Sequence, residues 1–68
     1  MKITLNYREE TIDRENLSVK ELLELKRVKM PNMVTVQLNG KIIKKQDYES
    51  TSIRENDRIN FLYYIGGG

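Results

Sequence analysis

The residue types that most often do chemistry are missing from this chain. Its 68 residues include no Cys and no His. That excludes disulfide staples, thiol nucleophiles, His-based triads and His/Cys metal sites. It also removes the usual general base near neutral pH. Catalysis would fall to carboxylates, and a chain this short buries only about 60% of the surface its unfolded form exposes, leaving little room for a pocket around them. A self-sufficient enzyme is therefore not expected. One group stands out instead. Gly66, Gly67 and Gly68 follow directly on an apolar stretch and account for three of the four glycines. A run without Cβ atoms is flexible and narrow, and it passes where any side chain would jam. It presents the α-carboxylate of Gly68. That carboxylate reads as a reactive group offered to the active site of another protein, with Gly66 and Gly67 as the stretch that enters the channel. A frayed terminus or an expression remnant would leave the same three residues. A remnant usually brings Ser, His or a protease site, and none stands here.

The remaining composition excludes more than it assigns. Lys and Arg number 12 against 10 Asp and Glu, for a net charge of +2, too weak a balance to announce nucleic acid. The basic residues Lys26, Arg27, Lys29, Lys41, Lys44 and Lys45 are not interleaved with aromatics as stacking platforms would be. No apolar run approaches the ~20 residues of a membrane span. Met1-Lys2-Ile3-Thr4 carries no apolar signal segment, so the expected compartment is the cytoplasm. The length suits one small domain, residues 1–65, with 66–68 as a flexible tail.

The elements that must position this tail are legible in part. Lys2 to Tyr7 alternates, with Ile3, Leu5 and Tyr7 on one side, which predicts a half-buried strand. A short second strand is expected around Glu10 to Asp13. Ser18-Val19-Lys20-Glu21 fits a capping box, and Leu17 and Leu22 sit at hydrophobic-staple spacing. The predicted helix runs from Val19 to Val28. Val19, Leu22 and Leu23 form its apolar stripe, Lys26, Arg27 and Lys29 lie near its C-terminal end, and Pro31 biases Met30 out of it. Val34, Val36 and Leu38 define a third strand. Asn39-Gly40 is a strong hairpin signal, and Lys41-Ile42-Ile43 returns as the fourth strand. Lys44 to Ser52 reads as a loop with one helical turn and with Tyr48 as a core plug. Glu55-Asn56-Asp57 reads as a turn with Asn56 left-handed. Arg58 to Ile65 is the last strand, with Ile59, Phe61 and Tyr63 toward the helix and Leu62 and Tyr64 on the other face. The order ββαβββ predicts an α+β fold, a mixed sheet of about five strands with one main helix on one face.

These residues together resemble a family. Ser18-Val19-Lys20-Glu21-Leu22-Leu23, Leu38-Asn39-Gly40 with Ile42-Ile43, Asp57-Arg58-Ile59, and Phe61-Leu62-Tyr63-Tyr64-Ile65-Gly66-Gly67-Gly68 follow the order and spacing of the β-grasp, ubiquitin-like sulfur carriers, the thiamine-pathway ThiS type above all. The resemblance covers essentially the whole chain. Asn56 stands where the family often has Gly. Lys44-Lys45 and Tyr48 stand where it often has Pro-Arg and a Trp.

The resemblance implies a sulfur carrier for thiamine thiazole biosynthesis that binds no cofactor. An E1-like, ThiF-like adenylyltransferase would use ATP to adenylate the Gly68 carboxylate. The product would be a covalent C-terminal thiocarboxylate, with sulfur drawn from a cysteine-derived persulfide, and a ThiG-like thiazole synthase would take the sulfur. The carrier would be a co-substrate rather than an enzyme, monomeric when free, with no nucleic acid and no membrane as partner. Its partner-binding surface is expected at Leu62, Tyr64 and Ile65, with Leu62 and Tyr64 on the sheet face away from the helix. The other reading of Leu62 and Tyr64 is that the Lys44–Ser52 loop covers them. The same tail would also serve a carrier for molybdopterin, cysteine, homocysteine or tRNA sulfur, or a ubiquitin-like protein modifier.

Overall fold

Alternation builds the first strand, β1 (Lys2–Leu5), which buries Ile3 and Leu5 and leaves Lys2 exposed. The structure, a computed structural model, describes residues 1–29 and 33–63. The expected breaker Pro31, with Met30, lies outside the described residues, as does the expected end of the last strand at Ile65. β1 turns back into β2 (Arg8–Thr11), pairing Leu5 with Arg8 and Lys2 with Thr11. The second strand thus begins and ends earlier than expected, because the chain reverses at Asn6 and Tyr7, with φ of 49° and 67°. Positive φ at both central residues is the two-residue hairpin geometry that matches strand twist. Tyr7 is therefore a turn residue, 88% exposed, and not a third core position of β1.

A two-residue strand, β3 (Leu17–Ser18), leads into helix α1 (Val19–Leu25). The capping box is formed in both directions. Glu21 N–H donates to Ser18 Oγ at 3.0 Å, and Ser18 N–H donates to the Glu21 carboxylate at 2.9 Å. Two further helix-start amides find loop carbonyls, Val19 N–H on Thr51 O and Lys20 N–H on Tyr48 O, each at 3.0 Å. The amides that a helix start leaves without intrahelical partners are thereby satisfied. The helix stops at Leu25, one turn short of the expected Val28. Arg27 adopts φ 54°, Arg27 N–H donates to Glu24 O and Val28 N–H to Leu23 O. This is a Schellman closure with Arg where Gly is usual. Lys26, Arg27 and Lys29 consequently lie past the helix rather than in its last turn.

β4 (Val34–Leu38) and β5 (Lys41–Ile43) form a hairpin through Asn39 and Gly40 at φ 52° and 85°. A Cβ on Gly40 would meet nothing within 4 Å, so its backbone conformation is what favours glycine there. A short 3-10 turn (Lys45–Asp47) then presents Tyr48, which is buried and donates its hydroxyl to Val34 O at 3.0 Å. Tyr48 is the expected core plug. β6 (Ser52–Ile53) pairs with β3, an antiparallel bridge the sequence reading did not contain. Asn56 is left-handed as expected, at φ 68°.

The last strand, β7 (Arg58–Tyr63), enters the middle of the sheet. The order is β2-β1-β7-β4-β5, with β1·β7 parallel and the other pairings antiparallel. A five-stranded mixed sheet with one helix on one face is the α+β architecture expected. Its core joins Ile3, Leu5, Leu22, Val36, Ile59 and Phe61 among others. Tyr63 was expected in that core. It shares the parity of Ile59 and Phe61 but is 56% exposed, because it borders an open groove lined also by Lys26 and Arg8 instead of apolar side chains that would cover it.

Two outcomes test this account of the local structure. Tyr7 gains no burial to offset its left-handed backbone, so Tyr7→Gly is expected to stabilise the fold by about 0.5–1 kcal/mol, a Tm rise of roughly 2–8 °C. A lower Tm would show that the ring packs usefully. The Ser18 backbone N–H, then the Ser18 hydroxyl and the Arg14 charge, hold the Glu21 carboxyl below its ordinary value of 4.5. Because the folded-state pKa is the lower one, the Glu21 contribution is complete above the unfolded value and is lost as pH falls through the folded one. The stability gap between wild type and Glu21→Gln should therefore be constant near neutrality and shrink below about pH 4.5 in urea titrations. A gap unchanged into strong acid would contradict the assignment.

Candidate functional site

Two features define the site: the strand that runs toward the tail, and the sheet face that α1 leaves open. β7 is held on both sides. Along β4 it pairs from Leu38 opposite Ile59 to Val34 opposite Tyr63. Along β1 it pairs Thr4 with Arg58 and Leu5 with Ile59. Its start is fixed by an asparagine side chain, since Arg58 N–H donates to Asn39 Oδ1 at 2.9 Å. Asn39 Nδ2 in turn donates to Asp57 Oδ1 at 3.0 Å, and Arg54 N–H donates to Asp57 Oδ2 at 2.8 Å. A second asparagine holds the strand further on, where Phe61 N–H donates to Asn6 Oδ1 at 2.8 Å.

The open face follows from the strand registers. Arg58, Asn60 and Leu62 of β7 point there, opposite Thr35 and Gln37 of β4, and Gln37 is opposite Ile42 of β5. Leu62 is 42% exposed and Ile42 65% exposed. They stand at the two ends of a diagonal across β4, with the uncharged side chains of Thr35, Gln37 and Asn60 between them. Beside Asn60, a shallow depression of about 330 Å³ is lined by Thr4, Tyr7, Arg58 and Asn60. The face is therefore mixed, with apolar points separated by hydrogen-bonding groups. Such a surface suits a non-obligate protein contact better than a small-molecule pocket.

Of the residues expected at the site, Leu62 lies on the open face and is not covered by the segment from Lys44 to Ser52. Tyr64, Ile65, Gly66, Gly67 and Gly68 lie outside the described residues. Ile42 was read as an ordinary strand residue, and its place on the same face as Leu62 was missed. The signal was present in the two-residue Asn39-Gly40 turn, which fixes the register and sends Ile42 outward when Ile43 points in. The expectation for Lys26 is refined too: its ammonium pairs with the Glu10 carboxylate, both half-buried. That pair borders an open groove of about 350 Å³ between the Asn6 turn and the end of β7 at Phe61 and Tyr63. Among the described residues, no three acidic side chains are grouped to hold a metal ion, and no helix is long and apolar enough to cross a membrane.

Comparison with known proteins agrees with this geometry. A solved structure of a thiamine biosynthesis protein (ThiS) from Geobacter metallireducens is similar over 100% of both chains, with 38% identity and a TM-score of 0.91. A solution structure of a thiamine biosynthesis protein from the same organism matches over 100% of this chain and 88% of its own, with 38% identity and a TM-score of 0.85. No curated protein matches the sequence. The fold is thus the β-grasp of a ThiS protein, and the profile of the ThiS family matches residues 1–68. The chain belongs to the ThiS family.

Proposed function

We propose that this protein is a sulfur carrier for thiamine thiazole biosynthesis, and that its working group is the α-carboxylate of Gly68. The observation that carries this reading is the match to the ThiS family over residues 1–68. The fold supports it. β7 is the central strand and Gly66-Gly67-Gly68 lie just beyond it in sequence, so the carboxylate is tethered to the best-anchored element of the sheet. The five residues after Tyr63 reach at most about 18 Å, enough to enter an active site while the sheet rests outside it.

The chemistry assigns each part a role. A carboxylate is a poor electrophile. In the proposed sequence one carboxylate oxygen of Gly68 attacks the α-phosphorus of ATP, pyrophosphate leaves, and the acyl-adenylate forms on an E1-like, ThiF-like enzyme. A persulfide's outer sulfur then bonds to the acyl carbon as AMP departs with the carboxylate oxygen. A second thiolate takes the persulfide's inner sulfur into a disulfide and frees the thiocarboxylate. That thiocarboxylate is a strong nucleophile, and a ThiG-like thiazole synthase consumes it. The carrier is a co-substrate throughout, and ATP belongs to the activating enzyme. The open face with Leu62 and Ile42 docks the activating enzyme, and the glycines carry the carboxylate inward.

Intact mass spectrometry tests the proposal. After incubation with Mg-ATP, a sulfide source and the cognate activating enzyme, the protein should gain the mass difference between sulfur and oxygen, located in the C-terminal peptide. A chain lacking Gly67 and Gly68 should stay folded and unchanged in mass. An unaltered wild-type mass under conditions that charge another ThiS protein would contradict it. Leu62→Asp should raise the half-saturating carrier concentration about tenfold or more, with Tm nearly constant because the side chain is already exposed. A large fall in Tm would place Leu62 in the core instead.

A further inference from the structure

The last described hydrogen bond on the β1 side of β7 is not made by a strand. Asn6 N–H donates to Ile59 O at 2.9 Å, as a parallel ladder requires. In a regular ladder the next bond would run from Phe61 N–H to the Asn6 backbone carbonyl. The backbone has already left the ladder, because Asn6 sits at φ 49° and opens the turn into β2. Its side chain replaces its main chain, and Phe61 N–H donates to Asn6 Oδ1. Two residues further the described strand ends at Tyr63, where β4 supplies the pairing. Asn39 is the natural comparison. It too is left-handed, at φ 52°, and its Oδ1 also accepts from a β7 amide, but at Arg58, the end remote from the glycines.

We infer that Asn6 is a positioning residue for the Gly68 carboxylate: its side-chain carbonyl pins β7 at Phe61 on the β1 side and so steadies the strand end that precedes Gly68 in sequence. This rests on the proposed charging of Gly68 by an activating enzyme. The position makes two demands at once, a left-handed backbone and a side-chain acceptor three bonds from Cα. Asn and Asp meet both, whereas Gly meets the first alone. Without the acceptor, the Phe61 end of β7 is held from the β4 side alone and fluctuates more, while the β4 pairing and the open face are kept. Docking is then unchanged and the carboxylate samples a wider volume around the reactive phosphorus. Misplacement of a reacting group by about 1 Å can cost as much as ~100-fold in rate.

The experiment compares wild type, Asn6→Gly, Asn6→Asp and Asn39→Gly by amide hydrogen exchange and by pyrophosphate release in the first turnover with the cognate activating enzyme and Mg-ATP. In Asn6→Gly the Phe61 amide should exchange about tenfold faster. The rate of pyrophosphate release should fall at least about tenfold, with the half-saturating carrier concentration unchanged within about twofold. Asn6→Asp should restore both. Asn39→Gly gives up the corresponding bond at the far end of the strand, and the Asp57 contact with it, and should still release pyrophosphate at the wild-type rate. A wild-type rate in Asn6→Gly, an effect confined to half-saturation, or an equal loss in Asn39→Gly would overturn the inference. No release from wild type would overturn the functional reading itself, and the exchange data would still report whether Asn6 holds Phe61.

Discussion

The fold depends on one constraint: the chain's last strand must be seated between its first strand and the β4–β5 hairpin. β1 and β7 run parallel, so no tight turn can join them, and everything between is in effect their connection. Seating β7 buries Ile59 and Phe61 against α1 and satisfies ladder groups of β1 and β4 together. Two asparagine side chains complete the seating where regular pairing gives out, Asn39 at Arg58 and Asn6 at Phe61. An element held this way is a firm base for the residues that follow it in sequence.

The two faces of the sheet divide the work. The helix face is covered except at the Tyr63 end of β7, and one loop residue helps to close it. Tyr48 fills the space below the loop, its hydroxyl reaches Val34 O, and its own carbonyl accepts from Lys20 at the start of α1. The segment after β5 thereby ties the helix to β4. Among the described residues, the other face carries neither helix nor loop. Leu62 and Ile42 are exposed there among Thr35, Gln37 and Asn60, a composition that tolerates water when free and offers both apolar contact and hydrogen bonds to a protein partner.

Local signals with a specific mechanism were legible in the sequence. Ser18 and Glu21 announce a capping box, Asn39-Gly40 a hairpin, and Asn56 a left-handed turn, because each residue type is chosen by the geometry it must adopt. What was not legible rests on residues adopting geometries their types disfavour, or on distant pairing. Tyr7 and Arg27 take left-handed conformations usual for Gly or Asn, so the first hairpin was misplaced and the helix drawn too long. The β3–β6 bridge joins Leu17 to Ile53, and two residues on each side carry no periodic signal. Of the site, the outward parity of Leu62 could be read directly. The part played by Asn6 could not, since its partner Phe61 is 55 positions away.

The proposed function comes down to a single chemical event, the exchange of one oxygen of the Gly68 carboxylate for sulfur through an acyl-adenylate. The fate of that oxygen is the most direct measure of it. If Gly68 is prepared with its carboxylate enriched in heavy oxygen and the protein is charged by its activating enzyme, the departing AMP should carry one heavy oxygen, taken from the carrier. AMP released without the label, while the carrier keeps it, would contradict the mechanism.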